Sequence, residues 1–225
     1  MKRRAALRLG AWAVALLAPH LAQANTASAE SAWFEAASQG DLGQLQRLAA
    51  AGMPIDQRDA AGRTALLRAT AANRIGAARW LIERGADVNA KDAINDSSYL
   101  LAGARGHTEI LRLTLAAGAD LRSTNRYGGT ALIPASHYGH VETVRLLLGT
   151  AVDVNHVNRL GWTALLEAII LGDGGPAHTE IVRLLLAAGA RHDIADAQGV
   201  TPLAHARQRG QGANVALLQA AGARL

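Results

Sequence analysis

The fold of this chain is decided by residues 125–157, which read NRYGGTALIPASHYGHVETVRLLLGTAVDVNHV. The hydroxyl-bearing residue of this stretch, Thr130, has counterparts at fixed spacing in both directions. The residue numbers of the series rise by a constant step of 33 through Thr64, Ser97, Thr130 and Thr163, and Thr201 follows after a step of 38. A period of about 20 to 50 residues indicates stacked structural repeats. We therefore expect a repeat stack, a class of protein that usually binds a partner and seldom catalyses a reaction.

A second series, made of acidic and amide residues, has the same period. Its members are Asp59, Asp92, Asn125 and Asn158, again with a step of 33, and Asp196 after the same longer step of 38. Three residues further on, a turn residue recurs at Gly62, Asn95, Gly128, Gly161 and Gly199. Gly and Asn tolerate positive φ angles better than other residues, so this series predicts a tight turn before each hydroxyl. Two residue types that share one period and one insertion do not arise by chance.

Each hydroxyl is followed by two segments with helical character. Ser and Thr are favoured helix N-caps because their side-chain oxygen accepts a hydrogen bond from a free N–H of the first turn. In the unit quoted above, a first helix over about Ala131–Tyr138 stops at Gly139, and a second segment follows with apolar residues at helical spacing. A glycine just past that second segment, such as Gly118 or Gly189, is the expected C-terminal cap. Each unit is therefore expected to be a pair of short helices followed by a hairpin loop.

These units resemble the ankyrin repeat, whose pattern includes a turn glycine, Thr-Pro-Leu-His, Gly-His, Leu-Leu and Gly-Ala-Asp-Val-Asn. The resemblance covers about residues 31–225 and implies an all-α ankyrin-repeat solenoid of about six helix pairs joined by short β-hairpin loops. Only Thr201-Pro202-Leu203 retains the family proline. The family histidine is absent throughout, so the hydrogen bonds it usually makes near the hairpin must be supplied otherwise or lost. The residues in its place are Leu67, Leu100, Ile133, Leu166 and Ala204.

The unit at residues 92–124 departs most from the family pattern, because Tyr99 stands at the usual leucine position. A buried tyrosine hydroxyl needs a hydrogen-bond partner. We therefore expect locally imperfect stacking in this unit, without a change of fold.

The period divides the chain into a leader, a linker and a repeat domain. A signal peptide is expected at 1–24, a linker at 25–30 and the ankyrin-repeat domain at 31–225. Within that domain we expect an N-terminal cap repeat at 31–58, full repeats at 59–91, 92–124, 125–157 and 158–195, and a C-terminal repeat at 196–225.

The N-terminal residues have the features of a secretory signal peptide. A basic start is followed by the apolar segment Leu9–Ala18, which is too short to span a membrane. The small residues Ala22-Gln23-Ala24 predict cleavage after Ala24, with cleavage after Ala29 as the weaker alternative. An uncleaved membrane anchor and a twin-arginine signal at Arg3-Arg4 remain open alternatives. We expect a periplasmic protein.

The signal peptide also explains the basic character of the whole chain. Residues 1–24 contain four Lys or Arg residues and no acid, so their removal lowers the net charge from +5 to +1. A nearly neutral chain gives no support for binding to nucleic acid or to an anionic membrane surface. The chain contains no cysteine, which excludes disulfides and thiol chemistry. Stability must therefore come from the repeat stack itself.

A concave surface is the expected binding site. In an ankyrin stack the hairpin tips and the first helices line such a surface, and the resemblance places seven residues of this chain on it. The predicted partner-binding residues are Arg105, Arg126, Tyr127, His137, Tyr138, Arg159 and Trp162. Tyr, Trp and Arg are the residue types enriched in interface hot spots. The alternative is that Trp162 and Tyr138 pack against neighbouring hairpins.

The five-residue insertion, Asp173-Gly174-Gly175-Pro176-Ala177, is the other departure from the repeat. Its backbone N–H groups could face an anion, or its carboxylate a metal. It lacks the Lys-Ser/Thr pair and the preceding strand of a phosphate-binding loop. A simple extension of the loop between the two helices is the alternative that we favour.

Candidate catalytic and metal-binding groups are few. Glu167 and His205 fall near one position of adjacent first helices and could form a polar pair in the groove, as could His137 and Glu167 more loosely. A structural hydrogen bond is favoured over acid–base catalysis for such a pair. The recurrence of His107, His140 and His178 at one repeat position is architectural. We expect no catalytic residue, cofactor or metal site.

The sequence therefore predicts a non-enzymatic protein-protein interaction module that presents a concave ankyrin groove to a periplasmic protein partner. The mature chain is expected to be monomeric and to bind no nucleic acid. The alternative is a small-ligand-binding or enzymatic protein that uses the groove around Glu167, His205 and the insertion at 173–177.

Overall fold

The computed structural model describes residues 27–224, a part of the chain that forms twelve helices. The helices are α1 (27–39), α2 (Leu42–Ala50), α3 (Ala65–Ala71), α4 (Ile75–Glu83), α5 (Ser98–Arg105), α6 (Thr108–Ala116), α7 (Leu132–His137), α8 (Val141–Leu148), α9 (Ala164–Ile170), α10 (Pro176–Ala187), α11 (Pro202–Gln208) and α12 (Gly212–Ala220). Across 27–224 no helix has the length and apolar character that crossing a bilayer requires. The expected signal peptide, 1–24, lies outside the described residues.

The helices stack in two rows. The first helices of the units, α3, α5, α7, α9 and α11, pack against one another in chain order. The second helices, α4, α6, α8, α10 and α12, form a parallel row behind them, and each unit also packs its first helix on its second. These packed pairs join neighbours along the stack, as a solenoid requires. The predicted all-α ankyrin-repeat architecture is confirmed.

The core repeats with the same period as the sequence. One position of the first helices is fully buried in each unit, by Leu66, Tyr99, Leu132, Leu165 and Leu203. The second helices contribute Leu81, Leu111, Leu147 and Leu185 to the same continuous cluster. Burial of each leucine side chain stabilises the fold by roughly 1.5–3 kcal/mol. Because each unit buries its apolar face on the next, the core is continuous along the stack.

Four of the five predicted N-caps are confirmed. The side-chain oxygens of Thr64, Ser97, Thr163 and Thr201 each accept a hydrogen bond from the backbone N–H three residues later, over 3.2–3.3 Å. The turn before each cap also has the expected conformation. Gly128, for example, has a φ of 74°, and Asn95 takes the same left-handed region with a φ of 64°.

The prediction that Thr130 caps a helix is wrong. In the other units the carbonyl of the capping residue accepts from the N–H four residues later, but this position is occupied by Pro134, which has no N–H. The carbonyl of Thr130 therefore accepts from Ile133 instead, over 3.2 Å. The Ile133 N–H is the group that would otherwise bond the hydroxyl. The hydroxyl of Thr130 is left buried with no partner, and α7 starts one residue late, at Leu132.

Tyr99 fills the leucine position without displacing its unit. Its side chain is fully buried, and its hydroxyl finds no hydrogen-bond partner. Burial raises the pKa of this hydroxyl well above its usual value, so it stays protonated. The expected imperfect stacking is not seen, because α5 packs on both α3 and α7 and keeps its cap at Ser97. The departure is confined to one unsatisfied hydroxyl.

The hairpin loops are turns rather than strand pairs. Within residues 27–224 the one β-bridge joins Arg58 and Thr64. Each loop is closed by a hydrogen bond from the backbone N–H of its acid or amide residue to a carbonyl four residues later, as between Asn158 and Trp162 at 3.0 Å. Neighbouring tips are joined directly, since Arg159 N–H donates to the carbonyl of Tyr127 over 2.9 Å.

Candidate functional site

A groove of about 1230 Å³ lies on the concave side of the stack, between the hairpin tips and the ends of the first helices. Residues 27–224 contain eight large apolar side chains that are exposed, and five of them line this groove. These five are Ile94, Tyr127, Leu160, Tyr138 and Leu171. A concentration of exposed apolar surface in one concave region marks an interaction site.

The five side chains form two rows because they occupy two repeat positions. Ile94, Tyr127 and Leu160 lie at the same position of three consecutive hairpin tips. Tyr138 and Leu171 lie at the ends of α7 and α9, one repeat period apart. The solenoid thus converts one sequence position into a row of side chains, and the groove runs between two such rows.

Five of the seven predicted partner-binding residues line the groove, namely Arg105, Arg126, Tyr127, His137 and Tyr138. Arg159 and Trp162 lie outside its lining. The Arg159 guanidinium donates to the carbonyl of Arg126 over 3.0 Å and so ties two tips together. Trp162 is partly exposed in the loop that holds Asn158. The role of all seven in binding stays a prediction.

Ile94 and His140 also line the groove, and sequence reasoning missed both. A signal for Ile94 was present, because it has the phase of Tyr127 and Leu160. His140 was assigned an architectural role from its recurrence with His107 and His178.

The aromatic residues of the groove are held by stacking. The rings of His137 and Tyr138 lie 4.2 Å apart at 14°, and the ring of His140 lies 6.1 Å from that of Tyr138. On the opposite row the Arg126 guanidinium lies 4.8 Å from the centre of the Tyr127 ring, a cation–π arrangement. The same guanidinium is 3.7 Å from the carboxylate of Asp96. Both exposed tyrosines are therefore oriented before any partner arrives.

Glu167 is the buried acid of the groove. Its side chain comes from α9 and is 7 % exposed, yet it lines the groove wall. Oε1 accepts from Nδ2 of Asn158 over 2.9 Å, and Oε2 is 3.8 Å from Nδ1 of His137, beyond hydrogen-bond range. Burial raises the pKa of Glu167 to about 7, an effect that the Asn158 hydrogen bond only partly offsets. Burial also lowers the pKa of His137, as does the positive charge that His178 can carry.

The predicted pair of Glu167 and His205 is not formed. His205 Nε2 bonds Oδ2 of Asp196 over 2.7 Å, nine residues earlier in the chain. Backbone hydrogen bonds to the Asp196 carboxylate, of which the one from the Val200 N–H has the largest effect, lower the pKa of this carboxyl. His205 belongs to its own hairpin, and only the looser pairing of Glu167 with His137 brings two of the expected polar groups near each other.

The same nine-residue pairing recurs in three units and replaces the missing family histidine. Each loop residue bonds a side chain nine positions later, on the first helix, and the two are always complementary. The pairs are Asp59 with Arg68 at 3.0 Å, Asn158 with Glu167 at 2.9 Å and Asp196 with His205 at 2.7 Å. In these units the hydrogen bonds near the hairpin are therefore supplied by the residue nine positions after the loop residue, and the type of that residue differs from repeat to repeat.

The insertion lengthens a helix rather than forming a free loop. α10 starts at Pro176 and runs for 12 residues, compared with 8 or 9 in α6 and α8. The Asp173 carboxylate accepts a hydrogen bond from the Gly175 N–H over 2.8 Å. The same carboxylate lies 2.8 Å from Nδ1 of His178, to which it is also hydrogen-bonded. The opposite nitrogen of His178 bonds the carbonyl of His137 over 2.8 Å. The carboxylate therefore closes its own turn and fastens it to α7.

The three parts of the alternative ligand site lie apart. Glu167 lines the groove, and His205 is held by its hairpin. Gly174 and Gly175 line a separate apolar cavity of about 810 Å³ beside α12. Among the described residues, no group of three or more His, Asp or Glu side chains is arranged to hold a metal ion.

Comparison with known proteins agrees with this geometry. A family model described as "Ankyrin repeats (3 copies)" matches residues 4–92 and 99–196. Among curated proteins, the ankyrin repeat protein YahD of Escherichia coli (strain K12) is 51% identical over 57 residues, which are 25% of this chain and 28% of that protein. The aligned segment thus spans less than a third of that relative.

Solved structures match over far more of the chain. An ankyrin repeat domain from Acinetobacter baumannii AYE is 58% identical, with a TM-score of 0.83, over 87% of this chain and 100% of that one. The ankyrin repeat protein EF0377 is 41% identical, with a TM-score of 0.80, over 84% of this chain and 96% of that one. The human ASB11 ankyrin repeat domain is 27% identical, with a TM-score of 0.74, over 86% of this chain and 84% of that one.

Proposed function

Because the chain belongs to the ankyrin-repeat family, we propose that it is a non-enzymatic protein-protein interaction module whose concave groove takes a segment of a periplasmic partner. One observation supports this most strongly. Five of the eight exposed large apolar side chains within 27–224 meet in one groove, and the other three lie outside its lining. Solenoids use such extended concave surfaces for binding.

The chemistry of the groove suits a polypeptide. Its two rows offer aromatic and aliphatic contacts, and Arg105 and Arg126 add exposed guanidiniums beside them. Tyr and Arg side chains contribute most to binding energy when they lie near the centre of an interface. The preorganised tyrosines lower the entropy cost of ordering side chains on binding.

Site-specific photocrosslinking in the periplasm tests the groove directly. A photoreactive phenylalanine analogue at Tyr138 should crosslink to a discrete protein that mass spectrometry identifies. The matched control places the analogue at Arg112, which is exposed on the outer row of helices. Equal crosslinking of the same protein from both positions would contradict a groove-specific partner. A Tyr127→Ala change should reduce the Tyr138 crosslink while leaving the melting temperature unchanged.

Export of the protein is part of the proposal. Cleavage after Ala24 would keep all of the helical residues 27–39, whereas cleavage after Ala29 would remove three of them. Cell fractionation followed by N-terminal sequencing should find a periplasmic chain that starts at Asn25. A cytoplasmic chain that starts at Met1 would overturn the assignment. Replacement of Arg3 and Arg4 by lysine should abolish export only if the twin-arginine route is used.

A further inference from the structure

The groove has an apolar rim and one buried carboxyl group in its wall, that of Glu167. A carboxylate removed from water needs a counter-charge or several hydrogen bonds. Glu167 has one hydrogen bond, from Asn158 to Oε1. Among the described residues no hydrogen bond reaches Oε2. The carboxyl group is thus half satisfied by its own chain.

The nine-residue pairs show why Glu167 differs from its counterparts. In the pairs of Asp59 with Arg68 and Asp196 with His205, a basic side chain faces an acid and the pair carries its own counter-charge. In the unit at 158–195 the loop residue is an amide, Asn158, so the charge of Glu167 is uncompensated. Of the three pairs, the pair of Asn158 with Glu167 is the one that lacks a cation.

The neighbouring helices do not supply the missing cation. On α7, His137 approaches to 3.8 Å, but its pKa is lowered. On α10, His178 is bonded to Asp173 and to the carbonyl of His137. On α11, His205 is bonded to Asp196. Each histidine that faces α9 from a packed helix therefore leaves Oε2 of Glu167 available from the groove.

The arginines of the groove are directed elsewhere. Arg126 lies over the ring of Tyr127 and beside the carboxylate of Asp96. Arg105 donates from Nη1 to the carbonyl of Ala71 over 2.7 Å, toward the preceding unit. Neither guanidinium contacts Glu167. The apolar side chains of the two rows can contact the aliphatic stem of a long side chain that enters the groove.

We propose that the partner is an extended peptide segment that places one lysine or arginine side chain in this groove, with its cationic group on Oε2 of Glu167 and its aliphatic stem between Leu160 and Tyr138. This inference rests on the proposed function, since it names the chemistry of the segment that the groove takes. The rim residues then contact apolar side chains on either side of the basic residue.

Selection from a displayed library of random dodecapeptides tests this proposal without knowledge of the natural partner. Peptides that bind the purified full chain and lose binding to Tyr138→Ala are groove ligands. We expect them to share one basic residue flanked by apolar residues. A synthetic analogue with norleucine in place of that residue should bind roughly tenfold more weakly, since a hydrogen bond to a charged group is lost.

The dependence on Glu167 is measured with a double-mutant cycle. In Glu167→Gln the norleucine analogue and its parent should bind within about twofold of each other, because the charge is gone while the acceptor for Asn158 is kept. The control Glu142→Gln removes an exposed carboxylate on α8, with 73% of its side chain accessible, and should leave the tenfold preference unchanged. If Glu167→Gln does not fold, the double variant Asn158→Asp/Glu167→Arg, which copies the pair of Asp59 with Arg68, takes its place and should remove the preference for the basic peptide.

The possible failures are distinguishable. Groove peptides without a basic residue, or an equal norleucine penalty in wild type and Glu167→Gln, would overturn the cation inference and leave the groove function standing. A library in which no peptide binds the wild-type chain in a Tyr138-dependent way would overturn both.

Discussion

Pro134 leaves the hydroxyl of Thr130 without a partner, because its missing N–H forces the Thr130 carbonyl to take the Ile133 N–H that the hydroxyl needs. We predict that Pro134→Ala raises the free energy of unfolding by about 1 kcal/mol, the usual value of a restored N-cap. Urea unfolding followed by circular dichroism measures the change. In a Thr130→Val background the same substitution should gain much less. An equal gain in both backgrounds would show that the proline acts on the helix alone.

Tyr99 offers a second gain in stability. Its buried hydroxyl has no partner, and such a group costs about 1–3 kcal/mol of desolvation. We expect Tyr99→Phe to raise the free energy of unfolding by about 1 kcal/mol, as the ring remains and only the oxygen is removed. Thermal and urea denaturation would check this. Tyr127→Phe, which alters an exposed tyrosine, is the control and should be neutral. A destabilised Tyr99→Phe would mean that the hydroxyl is hydrogen-bonded.

The regular parts of this molecule could be predicted from sequence because a structural role inferred for one repeat position applies to the same position in all five units. The caps at Thr64, Ser97, Thr163 and Thr201 and the left-handed turn residues followed directly from their spacing. The predicted cap at Thr130 is not formed because Pro134, four residues later, changes the hydrogen-bond pattern of the first turn. The common spacing of the hydroxyls gives no sign of this change.

The candidate site was harder to predict because it depends on pairings across the repeat. Glu167 and His205 share a helix position, which suggested that they meet, but each bonds a loop residue nine positions earlier. The complementary choice of Asp with a base and Asn with an acid is visible in sequence only once that spacing is known. Of the seven predicted anchors, Arg159 and Trp162 fall outside the groove lining, and the Arg159 guanidinium instead bonds the carbonyl of Arg126 on the neighbouring tip.

His178 fastens the inserted segment to the stack. Its two ring nitrogens bond Asp173 and the carbonyl of His137, so His178→Ala should lower the free energy of unfolding by about 2 kcal/mol. Hydrogen exchange at the amides of residues 172–175 should rise more than at α12. His192→Ala, on a hairpin loop, is the control. Unchanged exchange at the insertion would show that the segment holds its shape without the histidine.

The titration of Glu167 gives a prediction with a definite sign. The pKa of this carboxyl is about 7 in the folded chain, against an ordinary value of 4.5. Below pH 4.5 the group is protonated in both states and its stabilisation is fully present. As the pH rises, the unfolded chain releases its proton first, so the folded state loses stability until the pH passes about 7. The full loss is roughly 3 kcal/mol.

Urea unfolding of wild type and Glu167→Gln at several pH values between 4 and 8 isolates this contribution. The amide cannot ionise, so the stability of the variant relative to wild type should rise through that interval and level off above it. His137 titrates in both proteins and in the opposite sense, since its pKa is lowered, and the comparison removes most of its effect. Glu142→Gln, whose carboxylate is exposed, should track wild type at every pH. A wild-type stability that stays parallel to that of Glu167→Gln from pH 4 to 8 would mean that the groove hydrates this carboxyl, and the cation site inferred from its burial would fall with it.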